Sequence, residues 1–440
     1  MAALDDNVFQ KLEQVDEKTL TFTMSPVSVT YANTLRRAVQ TEVQTLGFRA
    51  DMLEDGSTAD VKVFKNTTPM SNEMLADRVG LLPIHMPGGA VAGWEKESVL
   101  FRLHVKNETD DVRLVTASDF ECLKASADAA EASEGGERGE SRVRIPNTQF
   151  FHPNPVTGET CIIAVLKPMA DGQEPEEIHL EAYATMGKGR EHTRFNPVAQ
   201  CAYSYTRDDD AGRIKEMWQR WLTQQKKVDP KDLDKDPERK AVLEREFRSL
   251  EIYRCFKTDG NGEPFSYDFT VESVGVMEPN KIIFDALNSV ASLCDKYAAL
   301  DTGDLPESVD IRPADARMKG FDFWFQAEDH TLGNLLQTWL DDNRIGDSLI
   351  SFAGYKVPHP LRDEMVLRIG IEDGSEKTAR LAIAEAAKAC ADMFRGWSAQ
   401  WSGATASAGL KTPTFEGDAK TMWQGHAAAK ASARGASSKR

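Results

Sequence analysis

Cysteine is scarce and never closely paired: six residues, at 122, 161, 201, 255, 294 and 390, stand singly along 440 positions. No CxxC or similar spacing exists, so a cysteine zinc site has no basis in the sequence. With no secretion signal, reduced and mostly buried thiols are expected. Long apolar runs are also missing, which excludes a helical membrane span of about 20 residues. The opening MAALDDNVFQ has neither the basic nor the apolar region of a signal peptide, so a soluble intracellular protein is expected. Positive charge is short: 53 Lys and Arg against 70 Asp and Glu leave a net charge of −17. That balance is a poor footprint for a nonspecific grip on phosphates and argues against the whole chain being a nucleic-acid clamp.

The most informative stretch runs from Glu328 to Leu361. A strand-like run, Phe321 to Gln326, leads into it with Phe321, Phe323 and Phe325 on one face. Asp329 and Thr331 offer side-chain oxygens for a helix start. Leu332, Leu335, Leu336, Trp339 and Leu340 follow at helical spacing. Gly333 in the first turn marks either a close backbone crossing or a flexible helix start.

The same pattern occurs once more, at a constant offset of 301 positions. Phe22 then matches Phe323, Thr30 matches Thr331, Asn33 matches Asn334, Leu35 matches Leu336, and small Ala32 falls on Gly333. Two copies of one strand–turn–helix unit are the reading. Each helix has an apolar face too wide for its own strand to cover. The two helices are therefore expected to cover each other across a pseudo-two-fold axis. The expected interface is Phe22, Ala32, Leu35 and Val39 against Phe323, Leu332, Gly333, Leu336, Trp339 and Leu340.

On these residues the chain resembles a known family. HTLGNLL at 330–336 and FAGYKVPHPL at 352–361 look like the eleventh subunit of eukaryotic RNA polymerase II and its archaeal counterpart. Asn33-Thr-Leu-Arg-Arg37 and the run from Asn66 to Pro83 look like the third subunit. Both are similar to the bacterial alpha subunit, and the resemblance covers residues 5 to 400. It implies an α+β fold with two alpha-subunit-type dimerisation units, strands plus crossing helices, and a β-rich insertion domain in the first. It implies a noncatalytic assembly platform for a DNA-directed RNA polymerase, with no catalytic residue, cofactor or metal of its own. Its partners would be two catalytic large subunits and small adaptor subunits, with DNA reached only through the complex. Asn33, Arg36, Arg37, Lys188, Arg190, His192, Lys356 and His359 would meet a large subunit. Some third subunits carry a cysteine-rich metal loop after the segment matching Leu81-Leu-Pro83; here His85 to Leu100 contains no cysteine. A fusion in this order resembles the arrangement in some large DNA viruses of eukaryotes. That would place transcription in a nucleus or a cytoplasmic viral factory, with packaging in virions as a further expectation.

The expected organisation is a third-subunit-like dimerisation domain at 1–45 and 198–300, interrupted by a β-rich insertion at 46–197. A polar helical insertion follows at 206–262, a linker at 301–316, an eleventh-subunit-like domain at 317–401 and a disordered tail at 402–440. In the β-rich insertion, 61–64, 99–105 and 161–166 read as strands. Ser71 caps a short helix over 72–79. Residues 125–140, small and acidic, read as a surface loop. A helix is expected from Pro279 to Cys294, and another over 376–401 with Leu381, Ala384, Ala387 or Lys388, and Ala391 near one stripe.

Three other groupings point to different chemistry. Gly187-Lys-Gly-Arg190 lacks GxxxxGK[ST], and with His192 and Pro197-Val198 it fits the family signature GxGxxHxxxxPV. His192 has no nucleophile beside it and reads as structural. Asp232, Asp234 and Asp236 form D-x-D-x-D, the basis for an alternative metal-dependent phosphotransferase or nuclease; interleaved Lys231 and Lys235 and flanking prolines favour a solvated connector. His330 and His359 lack further ligands and read as turn or interface residues. A second alternative, a nucleic-acid-binding module using Arg36, Arg37, Lys188, Arg190 and the basic tail, fits the acidic balance poorly.

Overall fold

The computed structural model describes residues 7–53, 58–85, 93–125, 142–169, 172–233, 236–315, 318–346 and 349–410. They form two compact units. One takes the residues up to Arg37, Gln200–Val271 and those from Val290 onward; the other takes Ala38–Ala199 and Glu272–Ser289.

The first unit contains two four-stranded sheets of one topology. In the first, the order is Phe9–Gln14, Thr19–Met24, Tyr267–Ser273, Val198–Tyr205. In the second it is Val309–Pro313, Gly320–Gln326, Glu364–Ile371, Ile350–Lys356, all antiparallel. Spatially each sheet therefore runs first, second, fourth, third strand. A helix follows the second strand in both, Val29–Thr41 and His330–Asn343. Another follows the fourth, Pro279–Asp295 and Glu376–Ser407. The starts obey the sequence offset: Gly320 is 301 after Thr19, and His330 is 301 after Val29. The copies differ in what is inserted. The first carries a long insertion between its helix and third strand, and 206–266 between its third and fourth strands.

Local chemistry explains the second copy. Phe323 and Phe325 are fully buried, and the intervening Trp324 lies 4.4 Å under the Arg312 guanidinium. Asp329 caps the following helix by accepting from the Thr331 amide at 2.7 Å. Fully buried Leu332, Leu335, Leu336 and Leu340 give that helix its apolar face.

Three expectations need correction. Residues 301–316 are not merely a linker: Val309–Pro313 pairs with Gly320–Gln326. Its Val309/Ile311 alternation suits a strand, and Pro313 is tolerated at its end, on an edge. The last helix continues past Trp401 to Ser407, because Trp401 and Thr405 are fully buried and Thr405 Oγ1 donates to Trp401 O. Residues 411–440 of the expected tail lie outside the described residues. On that helix Leu381 is 42% exposed. The other expected stripe residues, Ala384, Ala387 and Ala391, are buried, and the buried face takes in Ala379, Ile383, Ala386, Cys390, Phe394, Trp397 and Trp401 as well, on the side of the helix away from Leu381.

In the second unit a five-stranded sheet has the order Val61–Asn66, Glu177–Tyr183, Val99–Lys106, Glu121–Ala125, Arg142–Ile145. Helix Asn72–Gly80 is capped by Ser71, which accepts from the Met74 amide. Alternate side chains such as Ile178, Leu180 and Ala182 enter a core with Phe48, Phe101 and Phe120. The loop expected at 125–140 lies outside the described residues except Ala125. The 206–262 segment, in the first unit, folds as helices Ala211–Trp221, Pro230–Leu233 and Pro237–Ser249. Trp221, Leu222, Leu243 and Phe247 form its own small core.

Candidate functional site

Helices Val29–Thr41 and His330–Asn343 meet in antiparallel fashion. Thr30 Oγ1 lies 3.0 Å from Thr338 Oγ1, and Asn334 Nδ2 donates to Thr30 Oγ1 at 3.3 Å. At the other end Arg37 Nε donates to Thr331 Oγ1 at 2.8 Å, while its Nη2 reaches Asp329 Oδ2 at 3.2 Å. Asp329 thus caps its helix and pairs with a cation of the facing one. Ala32 and Leu35 are fully buried in the first helix, Leu332 and Leu336 in the second. Asp329 was legible as a helix start but its pairing with Arg37 was not, and Thr338 was missed because a polar residue on a helix carries no periodic signal.

An aromatic cluster joins the same halves. Fully buried Trp401 stands 5.0 Å from both Phe9 and Phe22, edge-on. Phe22 stacks on Phe269 at 4.9 Å, and Trp397 meets Tyr31 at 6.1 Å. Edge-to-face pairs of this kind add about 0.5–1.5 kcal/mol each beyond the area they bury. Burial pushes the Tyr31 hydroxyl well up from its ordinary value. It also pushes the Cys390 and Cys201 thiols up to about 12, with Arg36 opposing the shift at Cys201.

Gly333 has a different reason from a backbone crossing. A Cβ there would lie 2.4 Å from the Tyr355 ring. Tyr355 belongs to strand Ile350–Lys356 of the same half; its amide donates to Gln337 Oε1 at 2.9 Å, and its hydroxyl is 3.3 Å from His330 Nδ1. The close approach is between a helix and an aromatic ring, not between two helices. Of the remaining expected interface residues, Phe22, Phe323 and Leu340 are buried and Trp339 is half-buried. Val39 is buried within the second unit.

The Gly187–Val198 segment, in the second unit, is fastened to the end of the first helix. Lys188 Nζ and Arg190 Nη2 lie 3.1 and 2.9 Å from the Glu42 carboxylate, which is 8% exposed. The Arg190 amide donates to Thr41 O at 3.1 Å. Cations at a helix C-terminus also oppose its dipole. A Cβ at Gly189 would stand 2.0 Å from Gln40 O, and Cβ atoms at Gly187 and Gly47 would strike the Phe195 ring at 2.5 and 2.8 Å. His192 Nδ1 accepts from the Arg194 amide at 3.1 Å, capping the short turn Thr193–Phe195. Arg194, nearly buried, donates to Phe48 O at 2.6 Å.

The residues expected to meet a large subunit therefore lie in different settings. Arg37 joins the two helices, and Lys188 and Arg190 hold Glu42. Lys356 and His359 are exposed, and His359 Nδ1 accepts from the Leu361 amide. Asn33 and Arg36 are half-buried and bond each other at 2.9 Å. Asp236 caps the helix starting at Pro237; the side chains of Asp232 and Asp234 lie outside the described residues. His330 meets Tyr355 rather than a second ligand. Among the described residues no group of three or more His, Cys, Asp or Glu is arranged to hold a metal ion, and no helix is long and apolar enough to cross a membrane.

These features agree with comparison to known proteins. Residues 21–294 and 321–399 each match the RNA polymerase Rpb3/Rpb11 dimerisation domain. The DNA-directed RNA polymerases I and III subunit RPAC1 of Bos taurus is 24% identical over 332 residues, spanning 67% of this chain and 86% of that protein. The DNA-directed RNA polymerase subunit Rpo3 of Pyrococcus furiosus is 24% identical over 303 residues, 68% of this chain and 97% of its own length. The corresponding subunit of Methanopyrus kandleri is 28% identical over 195 residues, 43% and 56% of the two chains. With one match covering more than half of its length and a second on the repeated unit, the chain belongs to the family of the RNA polymerase Rpb3/Rpb11 dimerisation domain.

Proposed function

We propose that this chain is a noncatalytic assembly subunit of a DNA-directed RNA polymerase, in which both partners of a dimerisation pair are carried on one polypeptide. The observation that carries the reading is the reciprocal pairing of Thr30 with Thr338 and Arg37 with Thr331. Thr331 is 301 after Thr30, and Thr338 is 301 after Arg37. Each residue thus meets the repeat-equivalent of the other's position, the signature of an isologous two-fold contact. Closing the contact within one chain replaces a bimolecular encounter with an intramolecular one, at an effective concentration on the order of mM for a short flexible link.

The composite surface then docks two catalytic large subunits and small adaptor subunits. Asn33, Arg36, Lys356 and His359 are the residues best placed to meet them, and Arg37, Lys188, Arg190 and His192 hold the supporting backbone. The chain makes no bond to the reacting nucleotide. The fused order supports an origin in a large DNA virus of eukaryotes, with transcription in the nucleus or a cytoplasmic factory.

Affinity purification of the tagged chain from its native cells, with mass spectrometry and an RNA-synthesis assay, tests this. Two very large subunits in near-equal amounts and template-dependent synthesis are expected. Leu336→Asp, which buries an uncompensated charge, should abolish that recovery. Recovery of the chain alone would overturn the proposal.

A further inference from the structure

The helical insertion is unlike the rest of the chain in charge. Residues 211–227 hold five cations, Arg213, Lys215, Arg220, Lys226 and Lys227, against one carboxylate, Glu216, in a protein whose net charge is −17. Two of the five are engaged: Arg213 pairs with Asp208 at 2.8 Å, and Lys226 with Glu246. Lys215, Arg220 and Lys227 are exposed and form no ion pair among the described residues. Between them the exposed side chains are Glu216 and the neutral Gln219, Thr223, Gln224 and Gln225; the Thr223 hydroxyl donates to the helix backbone, and the glutamine amides can donate outward.

The backbone sharpens the point. Helix Ala211–Trp221 runs on into a π-helical turn, Leu222–Lys226, that ends at Lys227 in the left-handed conformation, with φ 55° and ψ 36°. That position ordinarily favours glycine or asparagine; here a lysine ends the helix at some conformational cost. From Lys215 to Lys227 the surface extends about 18 Å, at about 1.5 Å per residue.

We propose that this face binds the backbone of duplex DNA without reading its sequence. Cations interspersed with amide donors, and free of paired carboxylates, are the groups that contact phosphates and sugars. A single strand is the poorer occupant, because it is gripped by exposed aromatics that stack on bases. The tryptophans here face inward: Trp221 is 4% exposed, and Trp218 packs on Trp221 and Phe247 at 5.5 and 5.1 Å. Glu216 sits next to Lys215 and one turn before Arg220, and weakens the site. The inference does not depend on the assembly role, since the full chain alone presents the face.

The test is fluorescence anisotropy of the full chain with labelled duplex DNA, from about 50 to about 200 mM salt, a range over which phosphate contacts weaken strongly. Three phosphate contacts predict a log–log salt slope near −2.7 and roughly a 40-fold loss of affinity across that range. The triple variant Lys215→Gln, Arg220→Gln, Lys227→Gln should lose most of the binding and of the slope, while Glu216→Gln should bind more tightly. These side chains are exposed, so unchanged circular dichroism is expected for both variants. No duplex binding by the parent chain at low salt would overturn the proposal, as would an unaltered slope in the triple variant. Tighter binding of single-stranded DNA, or equal competition by polyglutamate, would overturn it in favour of a different polyanion.

Discussion

The Arg37 guanidinium donates to Thr331 across two facing helices at 2.8 Å and reaches the capping carboxylate of Asp329 at 3.2 Å. Both charged side chains are about one-third exposed, 30% and 32%, so solvent screens the pair. A double-mutant cycle between Arg37→Ala and Asp329→Ala should return a coupling of about 0.2–1 kcal/mol. Asp329→Ala should cost more than Arg37→Ala, because it also removes a helix cap of about 1 kcal/mol. Urea unfolding of the four proteins checks both statements; zero coupling would remove the Arg37–Asp329 ion pair from the contact's energetics.

Trp401 is the apolar counterpart of that link. Trp401→Ala should destabilise the chain by about 3–5 kcal/mol, since the ring is fully buried against Phe9 and Phe22. A loss comparable to a surface substitution, within about 0.5 kcal/mol, would contradict the packing.

Gly333→Ala should cost about 1–3 kcal/mol through overpacking against Tyr355. Tyr355→Ala should suppress most of that cost when combined with it. An undiminished cost in the Tyr355→Ala background would point back to a helix crossing.

Hydrogen bonds from Lys65, first, and His104 hold the Glu177 carboxyl down to about 2 from an ordinary 4.5. Because the folded value is the lower one, this stabilisation is complete above pH 4.5 and is lost as pH falls toward 2. Glu177→Gln should therefore be less stable at neutral pH, and the difference should shrink as acid is added. Urea midpoints across that range check the sign; a constant difference would contradict it.

The repeat was legible in the sequence because its strand and helix keep both spacing and side-chain type, from Phe22 and Phe323 to Leu35 and Leu336. What was not legible came from tertiary neighbours. Nothing near Gly333 in sequence announces that Tyr355 will lie on it. An alanine-rich helix offers little contrast around its circumference: Ala384, Ala387 and Ala391 are buried as expected, but only the distant Phe9 and Phe22 show that the buried face also reaches Trp401 and leaves Leu381 out. Acidic residues hid the edge strand Val309–Pro313, whose Asp310 is paired with Arg312 at 2.8 Å. Lys188 and Arg190 read as outward cations because their anion, Glu42, is remote in sequence and close only in the fold.

The central claim is that two dimerisation partners meet within one chain, and dividing the chain tests it most directly. The turn after Gly303 is an exposed place to cut, so residues 1–304 and 305–440 can be co-expressed with a tag on one piece only. The account predicts that the pieces co-purify one to one, that Leu336→Asp separates them, and that the rejoined pair still recovers the large polymerase subunits. Pieces that fold but do not associate, or one piece that recovers both large subunits alone, would contradict it.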